Sequence, residues 1–292
     1  MKPPPFDYVA PSSLEEALSI LAAKGDDAKI LAGGQSLVPV LNFRLAQPAL
    51  LVDLNRIAEL DYVAVDDAGA VRIGAMTRQR ALERDARMPA RAPLLAETMP
   101  LIAHPQIRNR GTVGGSLAHA DPAGELPVAA VALEADILVR SQRGERTVAA
   151  ADFFVGLMTT ALAADEMLCE LRLPPAPERT GWTFREIARR HGDYAHAGVA
   201  VRLTLAGDGT IATARLVYLS AGDVPLPAAR ARAILEGEAP SDELFATAAA
   251  TAARDEIEPS DDIHASAAFK RHLAEVLTRR ALATALERAR AA

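Results

Sequence analysis

Hydrophobic positions in the first part of the chain predict a helix followed by two short strands. The tetrapeptide Ser13-Leu14-Glu15-Glu16 has the form of a helix capping box, and apolar residues then recur with helical spacing until Gly25. Compact apolar runs at 29–32 and 50–53 predict two strands, and prolines interrupt the segment between them. The pattern therefore predicts a β-α-β unit at the start of the chain.

The middle of the chain alternates short apolar runs with turn signals. These patterns predict a hairpin of strands 62–65 and 71–73, a helix over 78–84 and a later strand over 166–173. The long apolar run 128–139 does not divide clearly between helix and strand, although Asp136–Val139 favours a strand. The cluster Pro174-Pro175-Ala176-Pro177 then predicts a domain boundary, because proline removes backbone donors and stiffens a linker.

The pattern changes after this boundary. Alternating runs at 199–205 and 211–219 flank Gly207-Asp208-Gly209 and predict a second hairpin. From Pro227 the chain is rich in helix formers, with starts expected at Ser241 and Ser260 and a last helix over 269–290. We therefore predict an α+β protein with one domain over 1–176 and a second over 177–292, the latter with about three antiparallel strands and three helices.

Composition narrows the possible functions. Hydrophobic residues make up 50% of the 292 positions and aromatic residues only 4%, which predicts an aliphatic core. The net charge of −6 disfavours nucleic acid as the main partner, because phosphate binding needs a clustered basic surface. The single cysteine, Cys169, cannot form an internal disulfide or hold an iron–sulfur cluster alone. No hydrophobic leader or membrane-spanning run is found, so we expect a cytoplasmic protein.

Two glycine pairs are candidate anion-binding turns. Ala32-Gly33-Gly34-Gln35-Ser36 follows a predicted strand, and Thr112-Val113-Gly114-Gly115-Ser116 leads into a segment that we predict to be a polar loop, Leu117–Pro122. Glycine tolerates positive φ and has no Cβ, so consecutive amides can converge on a phosphate oxygen. A side chain at Gly33 or Gly34 is expected to fill that space.

Other familiar chemistries find no support. The sequence contains no phosphate-binding G-x-x-x-x-G-K-[ST], no G-x-G-x-x-G after a strand and no nucleophile elbow. His119 and Asp121 form a close pair in a turn, but two groups fall short of the three or four ligands of a metal site. We therefore predict no metal centre in this chain.

The glycine turns, together with HPQIRNRG before the second turn and HGDYAHAGVA later in the chain, carry a resemblance that spans nearly the whole sequence. The chain resembles the FAD-binding medium subunit of molybdenum hydroxylases, the family of the flavoprotein subunits of xanthine dehydrogenase and aerobic carbon monoxide dehydrogenase. The resemblance implies a two-lobed FAD domain of the vanillyl-alcohol-oxidase type, with lobes over roughly 1–56 and 57–176, followed by a small C-terminal domain.

The resemblance also implies which residues bind FAD. Backbone amides of the first turn would hold the pyrophosphate, the second turn would lie along the dinucleotide, and Asp121 would accept hydrogen bonds from cofactor hydroxyls. The implied contacts are Lys29, Leu31, Ala32, Gly33, Gly34, Gln35, Ser36, Leu37, Thr112, Gly114, Gly115, Ser116, His119, Asp121, Leu168, Arg189 and Arg190. Tyr194 would lie beside the flavin ring as the residue nearest the chemistry.

At Glu186 the chain departs from the family pattern, in which many relatives have a lysine near this position. A cationic stabiliser of reduced flavin is therefore not carried over to this residue. Arg189 and Arg190 are the candidate substitutes.

The implied function is electron transfer through noncovalent FAD, from [2Fe-2S] clusters of a small partner subunit to an external small-molecule acceptor. Molybdopterin would reside in a large partner subunit, and the implied assembly is a dimer of heterotrimers. The competing hypotheses are a stand-alone FAD oxidase or reductase with its own organic substrate and a nucleotide-binding module without redox function. Carbon monoxide, purines, aromatic N-heterocycles and aldehydes all remain open as substrates of the assembly.

Overall fold

A small parallel sheet forms the start of the computed structural model, which describes residues 2–292 of the chain. Its elements are β1 (Asp7–Val9), α1 (Leu14–Lys24), β2 (Ala28–Leu31), α2 (Leu37–Asn42) and β3 (Leu50–Asp53). The strand order is β1-β3-β2, and both pairings are parallel. The predicted β-α-β unit is thus confirmed, with β1 as an additional edge strand too short for its pattern to reveal.

Helix α1 forms as its sequence predicts. The Ser13 hydroxyl accepts a hydrogen bond from the Glu16 amide at 3.2 Å, and Gly25 with φ of 50° follows the last turn. The Glu16 carboxylate reaches the Ser12 amide at 2.9 Å, one residue before the usual capping-box partner. The apolar face of α1 packs in a core that also contains Met76, Met167 and Cys169. This core joins the first sheet to the next one.

A five-stranded antiparallel sheet forms the second part, in the order β4-β5-β10-β6-β7. Its strands are β4 (Val63–Val65), β5 (Val71–Gly74), β6 (Asp136–Ser141), β7 (Gly144–Ala149) and β10 (Met167–Leu173), with β8 (Phe154–Gly156) and β9 (Thr159–Thr160) as a separate hairpin. Its helices are α3 (Gln79–Arg84), α4 (Met88–Arg91), α5 (Pro93–Thr98), α6 (Pro105–Arg108), α7 (Val113–His119), α8 (Glu125–Ala132) and α9 (Ala150–Phe153). The predicted hairpin, first helix and last strand are confirmed.

Helix α8 explains the apolar run that the sequence pattern could not divide. The helix ends at Ala132, Glu134 adopts a left-handed conformation with φ of 54°, and β6 begins at Asp136. All residues from 126 to 132 are buried, because α8 packs between helices of the second part (α5, α7 and α9) and the third sheet. A helix buried on every side has no polar face, so it lacks the amphipathic signal.

The third part is a four-stranded antiparallel sheet covered by helices. Its elements are β11 (Thr180–Ile187), β12 (Ala197–Leu205), β13 (Ile211–Leu219), β14 (Leu226–Pro227), α10 (Ala229–Leu235), α11 (Asp242–Asp255) and α12 (Ala267–Ala291). The sheet order is β11-β12-β13-β14, with α10, α11 and α12 packed on one face and α8 on the other. Three long antiparallel strands and three helices confirm the predicted α+β architecture.

Two local predictions are wrong. Ser260 does not start a helix: the Asp262 carboxylate accepts hydrogen bonds from the amides of His264 and Ala265, so the chain turns, and Ser266 caps α12 instead. The segment after the second glycine pair is not a loop throughout, because helix α7 continues to His119. Among residues 2–292, none of the helices combines the length and the hydrophobicity needed to cross a lipid bilayer.

Candidate functional site

The turn between β2 and α2 presents backbone donors that the described chain does not use. Within residues 2–292, the amides of Gly33, Gly34, Gln35 and Ser36 donate to no protein acceptor. Gly34 has φ of 74°, and the Ser36 hydroxyl makes no capping hydrogen bond to α2. Successive free amides around a left-handed residue form a concavity that suits an anion. This turn therefore fits the pyrophosphate of a dinucleotide.

Protein packing requires a glycine at position 33. A Cβ built at Gly33 would lie 2.4 Å from the carbonyl oxygen of Arg110 and 2.8 Å from the Cα of Gly111. A Cβ at Gly34 would contact the side chains of Leu31 and Val38 at 3.3 Å each. Gly33 thus lets two chain segments meet, a role that the sequence did not indicate.

The second glycine pair differs in kind from the first. Thr112 caps α7, and its hydroxyl accepts from the Gly115 amide at 3.1 Å. The amides of Val113, Gly114 and Ser116 also have protein acceptors, namely Thr77 O, Ala75 O and Thr112 O. The prediction that amides of both turns are free for an anion therefore fails at the second turn. Only its side chains remain available.

The two turns nevertheless lie together. A Cβ at Gly115 would lie 3.4 Å from the Cβ of Ala32, and Gly33 approaches Arg110 just before the second turn. Ser116 and His119 lie on α7, half-buried and without a hydrogen bond to another described side chain. The structure thus brings the first turn of α7, at Gly115, against the turn that carries the free amides.

Asp121 lies directly after α7 and beside Tyr194. Ala120 has φ of 52°, which ends the helix, and the Asp121 carboxylate accepts from the Ala123 amide at 2.9 Å. Tyr194 is 72% exposed, yet its pKa is raised, first because protein around the hydroxyl desolvates the phenolate and then because Asp121 and Glu125 repel it. An exposed ring beside a carboxylate acceptor can cover a flat ligand that carries hydroxyl groups.

Arg189 and Arg190 are already paired. Both guanidinium groups contact Asp193, at 3.5 Å and 3.2 Å, and hydrogen bonding from Arg190 lowers the pKa of that carboxyl. Their side chains are 53% and 79% exposed, so the pairs are weakly held. Either arginine can therefore leave Asp193 for a ligand at small cost.

Glu186 and Glu125 form an acidic pair behind this loop. One carboxylate oxygen of Glu186 is fully enclosed and has no hydrogen-bond partner. Burial and, to a smaller extent, the neighbouring Glu125 raise the pKa of Glu186 to about 8. Burial likewise raises the pKa of Glu125 to about 7, with a contribution from Asp121.

The remaining predicted contacts have different surroundings. Lys29 is exposed on β2, and Leu31 and Leu37 flank the first turn half-buried. Leu168 lies in the core of the second part and is 5% exposed, so its side chain is not an apolar wall for a ligand. At β10 the register shifts between Leu168 and Glu170, which leaves backbone contacts as the possible contribution of this strand.

Asn55 and Arg78 contact the first turn and the segment beside it, although neither residue belongs to a recognisable sequence motif. The Asn55 side-chain amide donates to Ala32 O at 3.0 Å, and Arg78 donates to Asn55 and to Arg110 O. The available signal was position: Asn55 follows the carboxyl end of β3, the edge where ligands of parallel sheets bind.

Comparison with known proteins identifies the family. Residues 4–176 match the family described as the FAD binding domain in molybdopterin dehydrogenase, and residues 182–285 match the CO dehydrogenase flavoprotein C-terminal domain. The chain belongs to the FAD-binding medium subunits of molybdopterin dehydrogenases. The resemblance seen in the sequence is therefore confirmed.

Relatives of this medium subunit align along nearly their whole length. The alpha subunit of the 6-hydroxypseudooxynicotine dehydrogenase complex of Paenarthrobacter nicotinovorans is 44% identical over 99% of this chain and 97% of its own. The carbon monoxide dehydrogenase medium chain of Hydrogenophaga pseudoflava is 40% identical over 99% of both. A chain in a solved structure of carbon monoxide dehydrogenase from the same organism superposes with a TM-score of 0.95, at 41% identity and 99% coverage of both chains.

Proposed function

We propose that this medium subunit holds one noncovalent FAD and passes electrons from iron–sulfur clusters of a small partner subunit to an external acceptor. The observation that carries the proposal is the run of unpaired amides from Gly33 to Ser36 at the carboxyl edge of the parallel sheet. Bound FAD supplies one-electron and two-electron redox chemistry. The chain's own residues bind it, orient it and limit access to it.

Residue roles follow from the contacts of each group. The amides of Gly33–Ser36 and the Ser36 hydroxyl would bind the pyrophosphate, since charge-assisted hydrogen bonds to an anion are the strong ones. Asp121 and Ser116 would bind cofactor hydroxyls, because an anionic carboxylate accepts from hydroxyls and repels phosphate. Tyr194 would cover one face of the ring, and Arg189 or Arg190 would place positive charge near it.

Assembly with partners supports this division of work. Membership in a family of medium subunits implies a large and a small partner, and we propose a dimer of heterotrimers in the cytoplasm.

The proposed division into residues 1–176 and 177–292 is supported by the two family matches, which end at 176 and begin at 182. Relatives from nicotine-derivative and carbon monoxide enzymes have similar identity, 44% and 40%, so the similarity of this chain does not identify the substrate of the assembly.

A stand-alone oxidase finds less support. Such an enzyme needs an acid or base that a substrate can reach, and the unpartnered carboxylate oxygen of Glu186 is enclosed by protein. Glu125 and Asp121 remain on the loop that we assign to the cofactor. The subunit reading is therefore preferred.

The purified chain is expected to take up FAD that acid precipitation releases completely. Hydrogen bonds hold the cofactor in this proposal, and they are lost when the fold is lost. The absorbance spectrum of the supernatant measures the release, with a covalent flavoprotein as the control. A chain that FAD does not stabilise on heating, or yellow colour that stays in the pellet, would contradict the proposal.

In the assembled complex, substrate is expected to bleach the flavin, whereas the isolated FAD-loaded chain is expected to show no bleaching by the same substrate.

Tyr194→Ala should change turnover with the acceptor while substrate still reduces the iron–sulfur clusters at an unchanged rate. The reason is that in this proposal the exposed Tyr194 ring covers the flavin and does not contact the clusters. Stopped-flow spectra separate these steps, and Phe269→Ala, another exposed aromatic at 48%, is the control. Direct bleaching of the isolated chain would favour the stand-alone oxidase.

A further inference from the structure

A chain of hydrogen bonds links Arg78 to the segments that carry both glycine turns. Arg78 donates from Nη1 to Arg110 O and from Nη2 to Asn55 Oδ1, each at 2.5 Å. Asn55 in turn donates from Nδ2 to Ala32 O at 3.0 Å. One side chain thus reaches a carbonyl before the second turn directly and a carbonyl of the first turn through one intermediate.

These two carbonyls flank the closest contact between the segments. Ala32 O belongs to the peptide that precedes Gly33, and Arg110 O is the atom that a Cβ at Gly33 would meet at 2.4 Å. A main-chain hydrogen bond from Gln79 N to Gly111 O at 2.9 Å runs beside them. The hydrogen bonds therefore fix the orientation of the peptide from which the free amides of the first turn continue.

Asn55 is itself held in place. The backbone amide of Asn55 donates to Asp53 Oδ1 at 2.9 Å, and the Tyr8 hydroxyl donates to Asp53 Oδ2 at 2.6 Å. Asp53 is the last residue of β3, so this part of the chain is anchored in the parallel sheet. Arg78 precedes α3 and is paired with Thr112, the first residue of the second turn, in an isolated β-bridge. The Arg78–Asn55 pair thus spans the two lobes.

We propose that Arg78 and Asn55 are positioning residues for the FAD pyrophosphate: together they hold the amides of Gly33–Ser36 in the orientation that an anion requires, without binding the cofactor themselves. The inference rests on the proposed function, in which this turn binds FAD. Donors that are fixed before binding contribute more affinity, because less conformational entropy is lost when the ligand arrives. A serial linkage also predicts that loss of either residue releases the same turn.

The test is FAD affinity of the full-length apo chain, measured by quenching of flavin fluorescence. Arg78→Ala and Asn55→Ala are each expected to weaken FAD binding about tenfold. Arg78→Lys should lie between Arg78→Ala and the unmodified chain, because an ammonium does not present the planar fork that serves two acceptors. Arg56→Ala is the matched control: it removes a neighbouring cation that takes no part in the linkage, and it should bind FAD within about twofold of the unmodified chain.

The double variant Asn55→Ala with Arg78→Ala distinguishes positioning from general weakening. Serial linkage predicts that its affinity equals that of the weaker single variant, whereas independent effects would multiply. Circular dichroism of each apo variant establishes that it is folded, and Arg78→Lys with Asn55→Ala decides the matter if Arg78→Ala does not fold.

Two results would overturn the inference: FAD affinity within about twofold of the unmodified chain in both Arg78→Ala and Asn55→Ala, or multiplicative losses in the double variant. Failure of the unmodified chain to bind FAD would instead overturn the proposed function. That failure is seen before any substitution is made, so the two are distinguishable.

Discussion

Gly33→Ala is expected to weaken FAD binding about a hundredfold. The added methyl group would lie 2.4 Å from Arg110 O and 2.8 Å from Gly111 Cα, both of them backbone atoms that cannot rotate away. The two segments must separate to relieve this overlap, and the free amides of the first turn then lose their orientation. Isothermal titration of the apo chain with FAD measures the change.

Gly207→Ala is the matched control for this substitution. A Cβ at Gly207 meets no atom within 4 Å, and its hairpin turn lies between β12 and β13, away from the glycine turns. Its FAD affinity should match that of the unmodified chain. Wild-type affinity in Gly33→Ala would show that the contact between the segments does not control cofactor binding.

Glu186→Gln is expected to stabilise the apo chain at alkaline pH and to leave it unchanged at acidic pH. The pKa of Glu186 is raised from 4.5 to about 8 by burial and by Glu125, so the folded state retains a proton that the unfolded chain releases. Stability is therefore lost as pH rises between these values, and the loss is complete above the folded pKa. Glutamine cannot ionise and avoids this loss, with a gain of about 1–3 kcal/mol at about pH 8.5.

Thermal unfolding at about pH 5 and about pH 8.5 measures this effect. The difference in midpoint between Glu186→Gln and the unmodified chain should grow with pH. Glu178→Gln, an exposed glutamate just before β11, should show no such growth. A pH-independent difference at position 186 would mean that the carboxyl pair is not held protonated by its surroundings.

Local sequence signals predicted most of the fold. The capping serines Ser13 and Ser241, the hairpin glycines and the alternation of β12 and β13 depend on neighbouring residues, and the structure contains the elements that they predict. Helix α8 was not divided correctly because its apolar pattern reflects burial between the helices of the second part and the third sheet. That information lies in residues distant along the chain, which periodicity does not report.

The candidate site was predictable in part. The sequence located the first turn and its glycines, but not that Gly33 serves contact with Arg110. At the second turn, Thr112 with the amide three residues later is an N-cap pattern, and it could have indicated that these donors are used by the helix. Asn55 and Arg78 contact residues that are distant from them in the sequence and close to them only in the folded chain.

Helix α8 joins the interiors of the two regions that match family models. Its residues contact β12 and β13 and lie in one hydrophobic core with residues of the five-stranded sheet, so the proline-rich segment near residue 176 separates the regions in sequence without separating their interiors. The loop that precedes α8 leads directly into it, so a displacement of this loop would also move α8 against the C-terminal sheet. The C-terminal region thus packs against the FAD-binding domain as part of one continuous hydrophobic core.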